Sequence, residues 1–238
     1  MMNRFINNFF GGILAGLAIS FGSLAFSFAS LYGSKVAGSI LFGTGLLLVC
    51  FFKLKLYTGK IGKVFDNDKF FILDLAYMLL GNLVGAFVTG YLVYFTLNED
   101  ILNVLTNIAN AKTVDLTSFN SYLKVLIQSF FCGMLVYLAV EIYNKAESNV
   151  IKVVGLLFLV SIFVICSFSH CIANMFYLSA ANFIFSSNFL SSFIGLLVSI
   201  IGNSIGAIAL YFLFKVFNNS QGEKRWVQKF TSPILDVQ

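Results

Sequence analysis

Residues 9–31 read FFGGILAGLAISFGSLAFSFASL, and this stretch decides the class of protein. It carries no charged side chain from its first residue to its last. About 20 consecutive apolar residues are enough for one helix to cross the hydrocarbon core of a membrane. The stretch is too long for the apolar part of a secretory signal peptide, so it predicts a membrane-spanning helix.

Apolar stretches of this kind recur along the whole chain. Of the 238 residues, 59% are hydrophobic and 11% are charged, whereas a soluble domain carries roughly 25% charged residues. We therefore predict an all-α integral membrane protein, with residues 1–238 forming a single membrane domain in the lipid bilayer. Six membrane segments are predicted, at residues 7–31, 36–66, 70–97, 119–143, 152–185 and 190–217, followed by a cytoplasmic tail over residues 218–238.

The basic residues lie at the ends of these segments, and their distribution predicts the topology. With both termini in the cytoplasm, ten lysines and arginines fall inside and three fall outside, which is the bias that membrane proteins show. This arrangement predicts six crossings of the cell membrane, and it explains the net charge of +5 without a nucleic-acid partner. The inside set is Arg4, Lys60, Lys63, Lys69, Lys145, Lys152, Lys215, Lys224, Arg225 and Lys229, and the outside set is Lys35, Lys112 and Lys124.

Polar residues interrupt the second and fifth segments. The second segment contains Lys53, Lys55 and Thr58, and the fifth contains His170 midway along an apolar run. Charged groups at membrane depth are costly, and irregular backbone there is tolerated only where protein buries it or where it borders a water-filled cavity. Each interruption has an alternative explanation that stays open: the lysines could mark an earlier end of the span and reach the interface, and His170 could be a hydrogen-bonded core residue.

Two pairs of stretches indicate an internal repeat. Residues 7–19 resemble residues 128–140, and residues 81–86 resemble residues 202–207, in both cases 121 residues apart. The repeated unit therefore contains three segments, over residues 7–97 and 119–217. An odd number of crossings inverts the second unit, which predicts an inverted repeat with a solute path where the interrupted segments meet.

The second matched pair also carries a motif for close helix packing. Glycines four residues apart let two helices approach closely in a membrane, and packing alone explains them. The predicted packing residues are Gly81, Asn82, Gly85, Gly202, Asn203 and Gly206.

The two breaks predict a site for an anion. We expect a helix to begin near Thr58 and another near Cys171, so that two positive helix N-termini converge at the midplane. The Thr58 hydroxyl and the His170 imidazole add hydrogen-bond donors, and Lys53 and Lys55 would add positive potential. No carboxylate lies close to either break in sequence, which disfavours a cation path.

The sequence resembles the formate/nitrite transporter family over nearly its whole length. The resemblance rests on His170-Cys171-Ile172-Ala173-Asn174-Met175-Phe176, on Gly81-Asn82-Leu83-Val84-Gly85 and on Leu56-Tyr57-Thr58-Gly59. It implies a homopentamer of aquaporin-like protomers, each with one pore for small monovalent anions such as formate, nitrite or hydrosulfide.

The resemblance also implies roles for individual residues. His170 would be the central pore histidine and Thr58 its partner, and Leu56 and Phe163 would form an apolar constriction. Asn174, Lys53 and Lys55 complete the predicted pore. Transport is expected to depend on pH, with protons as possible co-substrates.

The chain departs from the family pattern at several positions. Gly133 follows Cys132 where the family has asparagine, Lys55 stands where an acidic residue is common, and Ser169 replaces a frequent glutamate. The vestibule lysine of the family has no aligned match, and Lys112 is the candidate substitute. These departures concern the choice of substrate rather than the architecture.

Two other functions remain as alternatives. An aquaporin-like pore for small neutral solutes fits the repeat and the constriction, although paired Asn-Pro-Ala elements are missing from the sequence. A membrane scaffold without transport explains neither the polar interruptions nor the repeat. One histidine and the lack of embedded carboxylate pairs give no basis for catalysis, for a metal site or for a cofactor.

Overall fold

The computed structural model describes residues 2–231 of the chain, and it describes side chains for residues 2–219. Within these residues the chain folds into eight α-helices. Their bounds are α1 Met2–Leu31, α2 Lys35–Phe51, α3 Phe71–Tyr94, α4 Glu99–Asn110, α5 Phe119–Lys145, α6 Asn149–Ile165, α7 Cys171–Ala180 and α8 Phe189–Thr231, with short 3-10 helices at Ile61–Asp66 and Phe183–Phe185.

Four of the helices are long and apolar enough to cross a membrane. They are α1, α3, α5 and the Phe189–Asn219 part of α8, and the shortest of them has 24 residues. Three apolar helices are shorter: α2, with 17 residues, precedes one break in the helical structure, while α6 (17 residues) and α7 (10 residues) flank the other. The chain is thus an all-helical, multi-pass membrane protein, as its hydropathy predicts.

The second segment differs from the prediction beyond its break. We expected a helix to begin near Thr58, opposite the one that begins at Cys171. No α-helix follows Thr58 before α3; residues 52–60 are irregular, and only a 3-10 helix, Ile61–Asp66, precedes α3. The Tyr57 carbonyl accepts the amides of both Lys60 and Ile61, so the chain makes a single turn here. Only α7 therefore presents an α-helix N-terminus at the breaks.

Two other helical stretches lie outside the predicted membrane segments. Helix α4 lies between the predicted third and fourth segments; the Asn98 side chain accepts the Ile101 amide at its start, and Glu99 and Asp100 occupy its first turn. Such an N-cap with acidic residues is favourable for a helix. At the other end of the chain, α8 continues to Thr231, so the predicted tail is helical to that point, and residues 232–238 lie outside the described part.

Glycines bring the long helices together in pairs. Helix α1 packs on α3, and α5 packs on α8. A Cβ atom at Gly85 would lie 2.2 Å from the Ile13 carbonyl oxygen, and one at Gly206 would lie 1.9 Å from the Phe130 carbonyl oxygen. These distances are shorter than any real contact, so only glycine permits these backbones to approach so closely.

The contacts of these pairs give the register of the two halves. Gly81 and Gly202 are 121 residues apart, as the sequence match predicts. In α1 and α5, however, the equivalent glycines are 117 residues apart. A Cβ atom at Gly16 would lie 2.2 Å from the Asn82 carbonyl oxygen, and one at Gly133 would lie 2.1 Å from the Asn203 carbonyl oxygen. The matched stretches 7–19 and 128–140 are therefore displaced by four residues, about one helical turn.

Ion pairs gather at the end of the molecule that contains the N-terminus. Glu141 is almost buried and is held between two lysines, and Asp74 is 2.7 Å from the Arg4 guanidinium. These contacts place the start of α1, the start of α3 and the end of α5 on one face. The pairs are Arg4 with Asp68 and Asp74, Lys63 and Lys145 with Glu141, and Lys215 with Asp66.

Candidate functional site

The break after α2 has the hydrogen bonds of a Schellman motif. The Leu54 amide donates to the Val49 carbonyl at 2.9 Å, and the Lys53 amide donates to the Cys50 carbonyl at 3.2 Å. Lys53 has φ of 54°, the left-handed conformation that ends a helix in this motif. Glycine usually occupies this position, so a lysine here carries a modest backbone strain.

The break after α6 repeats this geometry 114 residues later. The Phe168 amide donates to the Phe163 carbonyl at 2.9 Å, the Ser167 amide donates to the Val164 carbonyl at 3.0 Å, and Ser167 has φ of 56°. The chain leaves both helices by the same turn, although the two sequences share no recognisable motif there.

Two buried asparagines hold the chain beyond the breaks. The Asn82 amide nitrogen donates to the Gly12 carbonyl at 2.9 Å and to the Lys55 carbonyl at 2.7 Å, and its oxygen accepts the Tyr57 amide at 2.8 Å. Unsatisfied backbone groups at membrane depth are costly. Asn82 therefore does more than pack: it supplies partners that the irregular backbone lacks.

Asn203 plays the same part on the other side. Its amide nitrogen donates to the Ser129 and Ser169 carbonyls, both at 2.8 Å, and its oxygen accepts the Cys171 amide at 2.9 Å. Both asparagines are fully buried. The two breaks are therefore anchored to α3 and α8 by equivalent hydrogen bonds.

The breaks meet at a contact between Thr58 and His170. The His170 Nε2 atom lies 2.9 Å from the Thr58 Oγ1 atom, and both side chains are buried. The His170 Nδ1 atom accepts the Ala173 amide at 3.3 Å and thereby caps α7. Because Nδ1 accepts, the neutral imidazole carries its proton on Nε2 and donates it to Thr58. The Thr58 hydroxyl proton is then available to another acceptor.

Two cavities approach this contact from opposite ends of α2 and α6. The histidine cavity, about 440 Å³, is bordered by His170, Asn174 and Phe163 together with Lys35 and Lys112. The lysine cavity, about 460 Å³, lies at the end of the molecule that contains the ion pairs. It is bordered by Leu56, Lys53, Lys55, Lys60 and Lys152, along with the end of α5.

The predicted constriction residues are divided between the cavities. Leu56 borders the lysine cavity and Phe163 borders the histidine cavity, and both are buried. The Phe163 ring stacks on the His170 imidazole, with centroids 6.0 Å apart, and meets the Phe42 ring edge-on. Bulky apolar side chains thus lie on either side of the Thr58–His170 contact.

Lys112 reaches from the loop after α4 to the break after α6. Its Nζ atom donates to the Ser167 carbonyl at 2.9 Å and to the Phe168 carbonyl at 3.3 Å. These carbonyls lie at the negative end of α6, where a cation is favourable. Burial lowers the pKa of Lys112 to about 8.

Asn174 brings an unused acceptor to the histidine cavity. Its amide nitrogen donates to the Ser199 hydroxyl at 3.0 Å. Its side-chain oxygen is buried and, within the described residues, has no hydrogen-bond partner. A buried polar atom in this position is expected to bind water or solute.

The sequence predicts most of the residues at the breaks and cavities, but not all of them. His170, Thr58, Asn174, Lys53 and Lys55 do lie at the breaks and cavities. The sequence predicts Lys60 and Lys152 only as topology signals, whereas both border the lysine cavity. The sequence does carry a signal for the hydrogen bonds of Asn82 and Asn203, because the internal repeat places an asparagine at the same position of two apolar helices.

The fold and site define a class: a multi-pass membrane protein whose interrupted segments meet between two cavities, as in transport proteins. The family profile described as "Formate/nitrite transporter" matches residues 1–217. The chain therefore belongs to the formate/nitrite transporter family, and it is a membrane transport protein.

Individual proteins agree with this assignment. A relative from Bacillus subtilis (strain 168), described as "Uncharacterized transporter YrhG", is 31% identical over 198 residues, which cover 76% of this chain and 71% of the relative. A solved structure described as "Pentameric formate channel with formate bound" has a TM-score of 0.66 at 22% identity, covering 97% of this chain and 98% of that one. Another, "FNT family ion channel", has a TM-score of 0.70 at 17% identity, covering 91% and 90%.

Proposed function

We propose that this chain forms a pore for small monovalent anions such as formate, nitrite or hydrosulfide. The observation that carries the proposal is the charge of the cavity walls. Every formally charged residue bordering either cavity within the described chain is a lysine, and none is a carboxylate. A path lined by one sign of charge concentrates ions of the opposite sign. Neutral solutes would gain nothing from these lysines, so the aquaporin-like alternative is disfavoured.

The proposed path runs from one cavity to the other past Leu56, Phe163 and the Thr58–His170 contact. Taking a bare anion through an apolar constriction costs several kcal/mol unless hydrogen bonds replace its water. The Thr58 hydroxyl, oriented by His170, is the donor proposed for that purpose. Lys112 and Lys35 would attract the anion at one end, and Lys53 and Lys55 at the other.

We infer that pH acts on this path through His170. Protonation of Nδ1 would create a cation that attracts the anion, but it would give up the hydrogen bond from the Ala173 amide. Strong hydrogen bonding to the anion, rather than permanent charge, is thus favoured by the local geometry. For a weak acid, transfer of a proton at the constriction would lower the cost of passage further.

The architecture that we propose is a six-segment inverted repeat with an aquaporin-like protomer. It is supported by the paired Schellman turns, by the equivalent bonds of Asn82 and Asn203 and by the Gly81/Gly202 contacts. Assembly as a homopentamer is supported by the similar fold of the pentameric formate channel.

Orientation follows from the positive-inside bias. The face with the ion pairs carries Arg4, Lys63, Lys145 and Lys215, so we place it, with both termini and the lysine cavity, on the cytoplasmic side of the cell membrane.

Uptake of formate, nitrite and hydrosulfide into liposomes, between about pH 5 and 8, tests the proposal around the ordinary pKa of histidine. His170→Asn is the informative variant because asparagine also caps helices well, yet it does not titrate. Selective uptake with a pH profile changed by His170→Asn is expected. Identical profiles for variant and parent would remove the histidine from the mechanism, and water permeation without anion flux would favour the neutral-solute pore.

A further inference from the structure

We propose that the lysine cavity is a binding site for a polyvalent phosphate anion of the pyrophosphate class, and that the bound anion blocks the pore. The block rests on the proposed function; the binding does not. The site is formed by Lys53, Lys55, Lys60 and Lys152 around one cavity of about 460 Å³.

The first observation is that, within residues 2–219, none of these four lysines is held in an ion pair, whereas neighbouring Lys63 and Lys145 both pair with Glu141. Lys55, Lys60 and Lys152 are each partly buried. Four like charges around one cavity repel each other, and a multivalent anion in the cavity would relieve that repulsion.

The second observation is the size of the cavity. A formate or nitrite ion has only three heavy atoms and can contact few of the four ammonium groups at once. A chain of two or three phosphate groups carries several charged oxygens and can accept hydrogen bonds from lysines on different elements. Tyr143 and Asn144 border the same cavity and add neutral donors. The chemistry of the wall therefore favours a polyphosphate over the monovalent substrate.

The third observation is the position of the site along the path. Leu56, a proposed constriction residue, borders the lysine cavity, so an anion held there stands in front of the narrowest part. The histidine cavity is different: among the described residues it has two lysines, Lys35 and Lys112, and Lys112 donates to the Ser167 and Phe168 carbonyls. Block is therefore expected from one side of the membrane only.

Binding is tested first, by calorimetric titration of the purified full chain in detergent with sodium pyrophosphate. Lys60→Gln/Lys152→Gln is expected to weaken the affinity about tenfold or more, since two charge-assisted contacts are lost. The matched control is Lys35→Gln/Lys124→Gln, which removes the same charge elsewhere. Equal affinity for all three proteins, or no heat of binding at all, would overturn the proposal.

A lipid headgroup offers the same phosphate chemistry, and the choice of membrane separates the two sources. Pyrophosphate binding should persist in nanodiscs of zwitterionic lipid and of anionic lipid alike. Loss of binding in anionic lipid alone would assign the cavity to a headgroup and overturn a soluble ligand.

Block is tested by formate flux with pyrophosphate added to either side of a planar bilayer. Inhibition from one side, weakened in Lys60→Gln/Lys152→Gln relative to its own uninhibited flux, is expected. Flux that pyrophosphate leaves unchanged would overturn the blocking role. Absence of any anion flux with pyrophosphate binding intact would instead contradict the proposed function and leave the binding site standing.

Discussion

The imidazole Nε2 atom of His170 lies 2.9 Å from the Thr58 hydroxyl oxygen, and this hydrogen bond joins two segments that are 112 residues apart. His170 is fixed from its other side as well, because Nδ1 caps α7 through the Ala173 amide. A ring held at both nitrogens has one tautomer and one orientation. The Thr58 oxygen therefore accepts from His170, and its own hydroxyl proton is left for another acceptor.

Replacing Thr58 by valine tests whether this hydroxyl acts as a donor to the anion. Thr58→Val keeps the shape of the side chain but removes the hydroxyl, and it leaves the His170 Nε2 proton without its partner. We expect anion flux to fall about tenfold or more, because a hydrogen bond at a charged solute contributes roughly 1.5–3 kcal/mol. Flux in liposomes measures the effect.

Thr44→Val is the matched control for this substitution. Thr44 lies on α2, before the same break, but it is exposed and its hydroxyl donates to the Leu41 carbonyl. Similar losses in the two variants would contradict a specific role of the Thr58 hydroxyl.

Asn82 and Asn203 are expected to be the most sensitive polar positions for stability. Asn82→Leu or Asn203→Leu removes three hydrogen bonds and leaves buried backbone groups without partners, which costs about 1–3 kcal/mol per group. A clear fall in the melting temperature of the purified protein should follow for each variant. Asn103→Leu, at an exposed position of α4, is expected to change it little; an unchanged melting temperature for Asn82→Leu and Asn203→Leu would refute the anchoring role.

Length and hydropathy made the four long apolar helices predictable, because both can be read from the chain directly. The breaks were predictable too, since Lys53, Lys55 and His170 interrupt apolar runs. The converging breaks predicted that Thr58 and His170 share one site. Their direct pairing was implied by the family resemblance, because no local pattern encodes a contact over 112 residues.

The register of α1 and α5 shows where composition misleads. Matching Phe9-Phe10 to Phe130-Phe131 aligned similar residues, but phenylalanines are abundant here, 29 in 238 residues. Packing is decided by Gly16 and Gly133, which face backbone oxygens too closely for any side chain. Helix α4 was missed for a different reason: its signals, Asn98 with the acidic first turn, are local and weak beside the long apolar segments.

The close approach of the paired helices predicts a steric effect. Gly85→Ala and Gly206→Ala place a methyl group against backbone oxygens that belong to rigid helices. We expect losses of about 1–3 kcal/mol in unfolding free energy, typical of overpacking, measured by denaturant titration. Gly155→Ala is the control, because its nearest neighbour is a methyl group of the Ile142 side chain at 2.9 Å. An equal effect at all three positions would contradict the assignment.

Lys112 predicts a loss of flux in alkaline conditions. Burial lowers its pKa to about 8, so the ammonium is present below that pH and is lost as the pH rises through it. Nitrite flux should therefore decline above about pH 8, while the charge of nitrite itself stays constant in this range. Lys112→Met should have a low flux without the alkaline decline, because methionine keeps much of the side-chain volume but never carries the charge. Lys124→Met, at an exposed position on α5, is the control and should retain the alkaline decline in nitrite flux. A decline that persists in Lys112→Met would show that another group titrates.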